Sequence, residues 1–387
     1  MITTINNKHK KLNVPNLRFP EFQGEWKKTE FGDIATGFDY GMNAAAKNYD
    51  GVNKYIRITD IDEASSTYTD KDIVSPDGIL TDNYLVNNRD ILLARTGAST
   101  GKSYLYKQSD GKLYYAGFLI RANVTTHDPY FVFSQLHTHR YWRWVYIMSA
   151  RSGQPGINSQ EYSSFPIYTT SIEEESKIAK LLSLLDERIA TQNKIIEDLK
   201  KLKSAISKKL LYNDKWNTYK IQDIAEIGRG RVISSVEIDR QKHPLYPVYS
   251  SQTSNNGIMG YLDNYMFDGE YITWTTDGAN AGTVFYRKGK FNCTNVCGTL
   301  KTQPKFDCYF VSLVLQQATQ KYVSSNLANP KLMNNTMASI KIRMPNIETQ
   351  KQLSKVFQTL DSCLLVHQRT CKMYLSEKQY LLCQMFI

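Results

Sequence analysis

Residues 171–212 decide the fold of this chain, and they read SIEEESKIAKLLSLLDERIATQNKIIEDLKKLKSAISKKLLY without a single Gly or Pro. When Ile178 is placed at heptad position a, apolar residues recur at a, d and e over about five heptads, which is typical of a coiled-coil seam. At 1.5 Å per residue, a helix of about 40 residues is about 60 Å long. The alternative interpretation is a long surface helix of one globular domain. The a positions are Ile178, Leu185, Gln192, Leu199 and Ile206, the d positions are Leu181, Arg188, Ile195, Leu202 and Lys209, and the e positions are Leu182, Ile189, Ile196 and Leu210.

The chain repeats this helix together with the segment that precedes it. IEEESKIAKLLSLLD (172–186) matches IETQKQLSKVFQTLD (347–361) at an offset of 175 residues. Because 175 is a multiple of seven, the heptad positions carry over to the second helix. Earlier in each half, Trp26 and Trp216 open similar segments, and the loop RTGASTG (95–101) resembles TDGANAG (276–282). Neither amphipathic helix can bury its apolar stripe alone, so each helix needs the other.

The repeat predicts an α+β fold: two similar α/β domains separated by two long helices that form an antiparallel coiled coil. Strand-like runs dominate both domains, and each is interrupted by one helical pattern, at 130–149 and at 307–323. Gln192 and His367 are equivalent a residues near the middle of their helices, and antiparallel pairing would bring them together as a polar layer that fixes the register. The predicted domains are 1–170 with an N-terminal arm, the spacer helix 171–212, the second domain 213–345 and the spacer helix 346–387. The residues predicted to pair the helices are Leu185, Gln192, Leu199, Leu360, His367 and Tyr374.

The composition favours a nucleic-acid partner and an intracellular location. The net charge is +11, and 26 Tyr accompany the Lys and Arg residues, which suits a surface that contacts phosphates and base edges. All six Cys follow residue 290 without a zinc-type spacing, so reduced thiols are expected. His367 and Cys371, four residues apart, are more typical of a helix face than of a metal site. Since neither an export signal nor a run of about 18 apolar residues is present, the chain is predicted to be cytoplasmic.

The sequence lacks the motifs of a catalyst. GASTGKS (97–103) resembles a phosphate loop, but it has three residues instead of four between its glycines, and the equivalent loop DGANAGT has no Lys. The interpretations left open for this loop are a tight turn between strands and a loop that meets a DNA phosphate or base. There is no Asn-Pro-Pro-aromatic motif of an amino-methyltransferase, no glycine-rich SAM loop after a strand, and no metalloprotease or serine-hydrolase motif. The chain is therefore predicted not to be an enzyme.

Polar loops of the two domains supply the candidate DNA-binding residues. Arg suits the O6 and N7 atoms of guanine, and Asn or Gln suits N6 and N7 of adenine. Taken singly, each of these residues is more typical of an ordinary surface position than of a DNA contact. The candidates in the first domain are Tyr40, Asn43, Lys47, Arg57, Thr59, Arg95, Thr96, Ser99, Lys102, Arg151, Gln154, Asn158 and Ser159. The candidates in the second domain are Arg229, Arg231, Tyr249, Ser250, Gln252, Ser254, Asn255, Trp274, Asp277, Asn280, Asn329 and Lys331.

Over essentially its whole length the chain resembles the specificity subunit of a type I restriction–modification enzyme. The features that carry the resemblance are VPNLRFPEFQGEW (14–26), the two glycine loops, the segments QPGI (154–157) and NPKL (329–332), and above all the repeated helices. The resemblance implies that each domain reads one half of an asymmetric bipartite DNA site. It also implies that the helices set the spacer and bind two modification subunits, which carry SAM and methylate adenine N6, and that restriction subunits join to translocate and cleave. No cofactor is then expected on this chain, because SAM, ATP and magnesium belong to the partner subunits.

Two other hypotheses compete with this one. The first is a stand-alone DNA-binding or scaffold protein that pairs through its helices without methyltransferase partners. The second is a nucleotide-driven enzyme. The second helix departs from the family pattern, because His367, Thr370, Tyr374 and Glu377 make its seam less apolar. This departure is expected to mean either a looser central region or contacts to a partner.

Overall fold

The chain divides into two compact units. A computed structural model describes residues 3–4 (backbone only), 13–150, 154–324 and 329–387. Unit 1 comprises Met1–Asn193 and Arg369–Ile387, and unit 2 comprises Lys194–Gln368. The domain boundaries proposed from the sequence stay predictions. In the described ranges, no helix combines the length and the apolar content needed to cross a membrane.

Unit 1 contains short strands and helices that lead into the first long helix. The strands are β1 (Thr3–Thr4), β2 (Leu17–Arg18), β3 (Lys27–Glu30), β4 (Ala35–Tyr40), β5 (Ala45–Asn48), β6 (Lys54–Ile56), β7 (Val74–Asp77), β8 (Asp90–Ala94), β9 (Ser103–Leu105), β10 (Leu113–Tyr115), β11 (Leu119–Val124) and β12 (Pro166–Thr169). The helices are α1 (Phe31–Ile34), α2 (Pro129–Gln135), α3 (His139–Ser149), α4 (Ser159–Ser163) and α5 (Ile172–Leu210), whose last residues belong to unit 2.

Strand β8 forms the centre of unit 1. It lies in an antiparallel sheet of order β4-β11-β8-β9, and all five of its residues are buried. Successive strand residues point to opposite faces. Ile91 and Leu93 therefore join a cluster with the helices, whereas Leu92 and Ala94 join a cluster on the other face. A strand covered on both faces explains the continuous apolar run in the sequence.

Unit 2 repeats this plan. Its strands are β13 (Asn217–Lys220), β14 (Ala225–Arg229), β15 (Tyr246–Tyr249), β16 (Ile258–Leu262), β17 (Glu270–Thr275), β18 (Val284–Lys288), β19 (Asn292–Cys293), β20 (Cys297–Thr302) and β21 (Lys341–Met344). Its helices are α6 (Ile221–Ile224), α7 (Ser235–Asp239), α8 (Cys308–Ala318), α9 (Asn334–Ser339) and α10 (Ile347–Met385), whose last residues belong to unit 1.

The sheets of the two units have the same strand order. In unit 2 the order β14-β20-β17-β18 corresponds to β4-β11-β8-β9 of unit 1, and both sheets are antiparallel. A parallel pair, β6 with β10 in unit 1 and β15 with β19 in unit 2, accompanies each sheet. The tandem repeat and the α+β class predicted from the sequence are therefore confirmed.

The helical patterns predicted at 130–149 and 307–323 are each interrupted in the structure. In unit 1 the chain forms α2 and α3, because the Thr138 side chain accepts a hydrogen bond from the Tyr141 N–H (3.3 Å) and caps a new helix. The Thr138 hydroxyl also donates to the Gln135 carbonyl (2.8 Å) at the end of α2. In unit 2 α8 ends at Ala318, and a 3-10 turn, Thr319–Tyr322, follows it.

The two long helices pair in antiparallel fashion. Each has 39 residues and is about 58 Å long. In unit 1, Asp186 forms an ion pair with Lys378 (2.6 Å), and the Cys371 thiol donates to the Asn193 side chain (3.3 Å). Partner numbers fall along α10 as they rise along α5, which defines the antiparallel direction. In unit 2, Lys203 of α5 pairs with Asp361 of α10.

The buried stripe of the helices differs from the predicted one by its heptad labels. Ile178, Leu182, Leu185 and Ile189 are buried, and these are a and e positions. The predicted d position Leu202 is 47% exposed. In a coiled coil the core positions a and d are separated by three and then four residues. The predicted e and a positions have this spacing. The predicted e positions are therefore the true a positions, and the predicted a positions are the true d positions. The seam was therefore predicted, but its register label was wrong.

The predicted pairing residues lie along this seam. Leu185 is buried, and Leu199, Leu360 and Tyr374 are partly buried. Gln192 belongs to unit 1 and His367 to unit 2, so their polar layer stays a prediction.

Candidate DNA interface

The glycine loop that follows β8, here called loop 1 (Arg95–Gly101), is built by backbone hydrogen bonds. The Gly97 N–H donates to the Pro155 carbonyl (2.9 Å), and the Ile157 N–H donates to the Arg95 carbonyl (2.9 Å). Gly97 has a φ of 72°, a conformation that a residue with a Cβ rarely adopts. The loop therefore packs against QPGI (154–157), which explains why these two separate segments both carry the sequence repeat.

Loop 2 (Thr276–Gly282) follows β17 in unit 2 and has the same construction. The Gly278 N–H donates to the Pro330 carbonyl (3.0 Å), and the Leu332 N–H donates to the Thr276 carbonyl (2.9 Å). Gly278 has a φ of 91°. Both interpretations of these loops left by the sequence are thus compatible with the backbone: each loop is a tight turn between strands, and each carries polar side chains.

In unit 1 three predicted residues come together at loop 1. The Arg95 guanidinium lies over the Tyr40 ring, with its central carbon 4.6 Å from the ring centre. The Tyr40 hydroxyl accepts a hydrogen bond from the Ser159 N–H (3.2 Å), and the Ser159 hydroxyl donates to the Phe38 carbonyl (2.6 Å). Stacking and these hydrogen bonds restrict the side chains that loop 1 presents.

In unit 2 an ionic cluster takes the corresponding place. Arg229 donates from Nη2 to the Thr276 hydroxyl (2.9 Å) and to Asp277 (3.3 Å). Lys331 lies 3.6 Å from the same Asp277 carboxylate. Two cations thus share one carboxylate, and the cluster keeps a net positive charge. Asn280 is tied back by a hydrogen bond from its side chain to the Ser251 carbonyl (3.1 Å).

Two predicted DNA-binding residues are placed where they serve the fold instead. Trp274 is fully buried, and its indole N–H donates to the Leu332 carbonyl (2.9 Å), so its assignment to the DNA surface is corrected to a core position. Arg57 donates to Asp60 from Nε (2.9 Å) and Nη2 (2.8 Å). These bonds raise the pKa of the Arg57 guanidinium, and its charge is paired with the Asp60 carboxylate inside unit 1.

The remaining candidates lie on the surface or partly exposed. Lys47 pairs with Asp77 (3.7 Å), Lys102 with Glu63 (3.3 Å), and Arg231 with Glu237. Arg151 lies outside the described residues. Candidates that are exposed are Asn43, Thr59, Gln154, Asn158, Ser254, Asn255 and Asn329, and those that are partly exposed are Thr96, Ser99, Tyr249, Ser250 and Gln252.

Sequence reasoning missed Arg287, a buried cation that lies against Tyr249 at the end of β15. Arg287 is 3% exposed, and its guanidinium lies 3.5 Å from the centre of the Tyr249 ring. Its Nε donates to the Thr273 hydroxyl (3.2 Å). Desolvation lowers the pKa of Arg287. The alternation of β18 could have located it, because Arg287 lies two residues after Phe285 and so shares its face of the strand.

Comparison with known proteins identifies the repeated segments. The type I restriction modification DNA specificity domain matches residues 23–201 and again residues 213–372. A type I specificity subunit of Mycoplasma pneumoniae is 36% identical over 204 residues, which are 50% of this chain and 82% of that one. The specificity subunit of the type I restriction enzyme MpnII of the same organism is 42% identical over 145 residues, which are 37% of this chain and 43% of that one.

A solved structure shares the fold. The crystal structure of the S subunit of a type I restriction–modification system from M. genitalium superposes with a TM-score of 0.72 and 16% sequence identity. The superposition covers 97% of this chain and 99% of that chain. At this identity the likeness concerns the fold.

Proposed function

This chain belongs to the type I restriction–modification DNA specificity family, and we propose that each of its two units reads one half of an asymmetric bipartite DNA site. Its role is DNA sequence recognition as a non-catalytic specificity subunit. Under the proposal, methylation and cleavage are performed by two modification subunits and by restriction subunits that assemble with it. SAM, ATP and magnesium then reside in those partners.

The observation that carries the proposal is one framework with two different sets of side chains. Loops 1 and 2 share their backbone hydrogen bonds, but loop 1 presents Arg95 and Thr96, whereas loop 2 presents Asp277 and buries Thr276. Base edges in the major groove are distinguished by the pattern of donors and acceptors that meets them. Two similar frames with different polar groups therefore suit two different half-sites.

The candidate DNA contacts form two groups: polar side chains on or beside the loops, and lysines that are paired with an exposed carboxylate. Arg95, Gln154 and Asn158 in unit 1 and Arg229 and Lys331 in unit 2 are polar groups on or beside the two loops. Phosphate contacts fix the position of a protein on the duplex, and base contacts select the sequence. Cations paired with a single exposed carboxylate, such as Lys47 and Lys102, are suited to the first role because the pair is easily exchanged for a phosphate.

The long helices support the proposed spacer and docking roles. Each helix keeps apolar side chains exposed in addition to its buried seam, and exposed apolar groups in number mark interaction sites. In the helical part of unit 1 these are Leu184, Met373, Leu375 and Tyr380, and in that of unit 2 they are Leu202, Val356, Leu365 and Val366. We assign these side chains to contacts with modification subunits.

The test is the methylome of a host that lacks adenine methylation and co-expresses this chain with its cognate modification subunit. The expected result is methylation of adenine within a single asymmetric motif of two specified halves separated by unspecified bases. A motif without a spacer would contradict the bipartite proposal. A chain that binds DNA but forms no complex with the modification subunit and directs no methylation would be the stand-alone protein.

A loop exchange sharpens this test. Loops 1 and 2 both contain seven residues, so RTGASTG can replace TDGANAG at Thr276–Gly282 without a change in length. The exchange is expected to change the half-site read by unit 2 and to leave the other half of the motif unchanged. A matched control replaces the exposed residues 242–244, which lie outside the loops, with alanines and should leave both halves intact.

Insertion of one heptad tests the spacer. Seven residues inserted after Asn193 and again after Gln368 keep both seams in phase and lengthen each helix by about 10.5 Å. With base pairs about 3.4 Å apart, the spacer is expected to grow by about three base pairs. An unchanged spacer would show that the helices do not determine it.

A further inference from the structure

The strand that opens each sheet ends in the same backbone frame. In unit 1 the Gly41 N–H donates to the Leu119 carbonyl (3.1 Å), and in unit 2 the Gly230 N–H donates to the Cys297 carbonyl (3.1 Å). The residue after each glycine, Met42 or Arg231, donates in turn from its N–H to the Tyr115 or Cys293 carbonyl. These bonds align the end of β4 with the end of β14.

Two further pairs of positions follow from this alignment. Tyr40 and Arg229 are the last residues before the aligned glycines, so they are equivalent. Gly117 and Asn295 both precede the aligned acceptor by two residues, so their carbonyls are equivalent as well. Because loops 1 and 2 share their hydrogen bonds, Arg95 corresponds to Thr276.

A guanidinium reaches the equivalent carbonyl in both units, although different elements supply it. In unit 1, Arg95 of loop 1 donates from Nη1 to the Gly117 carbonyl (3.3 Å). In unit 2, Arg229 at the end of β14 donates from Nε to the Asn295 carbonyl (2.5 Å). In unit 1 the arginine is on the loop (Arg95), and a tyrosine (Tyr40) ends the strand. In unit 2 the arginine (Arg229) ends the strand, and a threonine (Thr276) is on the loop.

Each guanidinium is held in one plane, and neither uses all its donors. Arg95 stacks on Tyr40, and within the described residues no carboxylate forms an ion pair with it. Arg229 uses Nε and Nη2 for its contacts to Asn295, Thr276 and Asp277. A guanidinium has five N–H donors in a rigid fork, so each arginine retains donors for a further partner.

We infer that Arg95 and Arg229 are equivalent specificity-determining residues and that each reads a guanine in the half-site of its own unit. The inference rests on the proposed function and names a base for one position of each half. A planar guanidinium whose orientation is fixed suits bidentate contact with guanine O6 and N7, the commonest specific contact of arginine. A phosphate also accepts the bidentate fork of arginine, but such a contact carries no base preference, so the preference for guanine distinguishes the two.

The test compares Arg→Lys with Arg→Ala at both positions in the full chain, co-expressed with the modification subunit, by the methylome readout. Lys keeps the charge but loses the bidentate fork. Arg95→Lys and Arg95→Ala are both expected to lower the preference for guanine at one position of one half-site by about 5- to 150-fold. Arg229→Lys and Arg229→Ala should do the same at one position of the other half only.

Control substitutions keep the experiment specific. Arg143→Lys in unit 1 and Arg240→Lys in unit 2 change exposed arginines outside the two loops, and both should leave the motif intact. A hydrogen-exchange measurement on each variant establishes that the unit is folded. The double variant Tyr40→Arg with Arg95→Thr moves the guanidinium of unit 1 to the strand, as in unit 2, and should recover preference for guanine relative to Arg95→Thr alone.

The outcomes that overturn the inference differ from those that overturn the proposed function. If the wild-type complex gives a bipartite motif but a half-site contains no specified G·C pair, the inference fails alone. Full activity of the Lys variants combined with a uniform loss in the Ala variants indicates phosphate contacts and also overturns it. A double variant no better than Arg95→Thr overturns the equivalence. Absence of any wild-type methylation refutes the proposed function itself.

Discussion

The two units hold their long helices with the same three side chains but present different side chains on their loops. In unit 1, Asp186 accepts a hydrogen bond from the Tyr130 hydroxyl and forms the ion pair with Lys378. The equivalent residues of unit 2 are Asp361, Tyr309 and Lys203. Each carboxylate thus links its own domain to the opposite helix, and the same contact occurs twice because the helices are related by the 175-residue repeat.

Loops 1 and 2 have diverged while this helix anchor has not. A contact that fixes the register of two repeated helices must be made by both helices, which restricts change in either one. Under the proposed function, the accessible side chains of each loop need only suit their own half-site, so Thr96 and Asp277 can differ. Under the proposed function, internal repetition in this chain therefore marks the pairing of the helices, and its loss marks the loops that meet DNA.

The largest effect is expected where the two units fill the same core position differently. Trp274 on β17 faces Gly298 on β20, and the equivalent pair in unit 1 is Leu93 facing Ile120. Trp274→Ala leaves a large cavity and should lower the free energy of unfolding of unit 2 by about 3–5 kcal/mol. Hydrogen exchange resolved by peptide should show the loss in unit 2.

The paired substitution tests whether the two cores are interchangeable. A Cβ at residue 298 would lie 2.2 Å from the Trp274 ring, so Gly298→Ile alone should destabilise unit 2 strongly. The double variant Trp274→Leu with Gly298→Ile reproduces the pair of unit 1 and should be more stable than either single variant. A Trp274→Ala protein that keeps its stability but loses a half-site would restore the DNA-binding role.

The second effect concerns a buried ion pair of unit 1 that has no counterpart among the described residues of unit 2. Arg18 donates from Nε and Nη2 to the two carboxylate oxygens of Glu174 (2.7 Å each), and both side chains are buried. The position equivalent to Glu174 in unit 2 is Thr349. Arg18→Leu leaves a buried carboxylate without its cation and should destabilise unit 1 by about 3 kcal/mol.

A double variant distinguishes a lost pair from lost packing. Arg18→Leu with Glu174→Leu removes both charges and should recover most of the stability, because two apolar side chains need no compensation. Equal destabilisation by the single and the double variant, measured by hydrogen exchange in unit 1, would contradict this account. Peptides of unit 2 serve as the internal control.

Periodicity and repetition in the sequence predicted the fold, but they did not reveal the contacts that individual side chains make. The seven-residue spacing located both helices to within two residues of their ends, and the repeat at 175 predicted their antiparallel pairing. The heptad labels of the seam were wrong because the e positions were interpreted as a widening of the seam, whereas they are core positions. Sequence could not show that Trp274 faces Gly298, since that contact joins strands 24 residues apart and depends on the sheet register.

The candidate site shows the same limit. Arg95 and Arg229 were both predicted as polar loop residues, but their equivalence depends on hydrogen bonds to Gly117 and Asn295. Their numbers differ by 134, which is none of the offsets of the sequence repeat: 175 for the helices, 181 for the loops and 190 for Trp26 and Trp216. A contact supplied by different elements has no common spacing, so alignment of the two halves could not have revealed it.

Acid should weaken unit 1 through His137. Its Nδ1 lies 2.9 Å from the Phe133 carbonyl and its Nε2 lies 3.0 Å from the Ser66 hydroxyl, and burial, together with the charge of Lys378, lowers the pKa of His137 to about 4. Since the unfolded pKa is about 6.5, this stabilisation is complete above that pH and is lost as the pH falls toward 4.

The expected loss for unit 1 between pH 7.5 and pH 5 is about 1–2 kcal/mol. Hydrogen exchange at both pH values, corrected for the intrinsic rate, should show it in the peptides that contain α2 and α3. His137→Gln cannot gain this proton, so the pH dependence of its unit 1 should be smaller. An identical pH dependence in wild type and variant would mean that other groups titrate.

The smallest effect tests the helix anchor that both units share. Asp186→Lys places two cations together and removes the acceptor of Tyr130, so it should destabilise the helix pair of unit 1 by about 1–2 kcal/mol. Asp186→Lys with Lys378→Asp reverses the pair and should recover part of the ionic contribution, although the Tyr130 hydroxyl then lacks its original partner. Thermal unfolding of the two variants and of Lys378→Asp gives the coupling energy of the pair. The same double-mutant cycle at Asp361 and Lys203 should give a similar coupling energy, because the anchor is repeated. A coupling energy measurable in one unit only would mean that the two anchors share their geometry but not their contribution to stability.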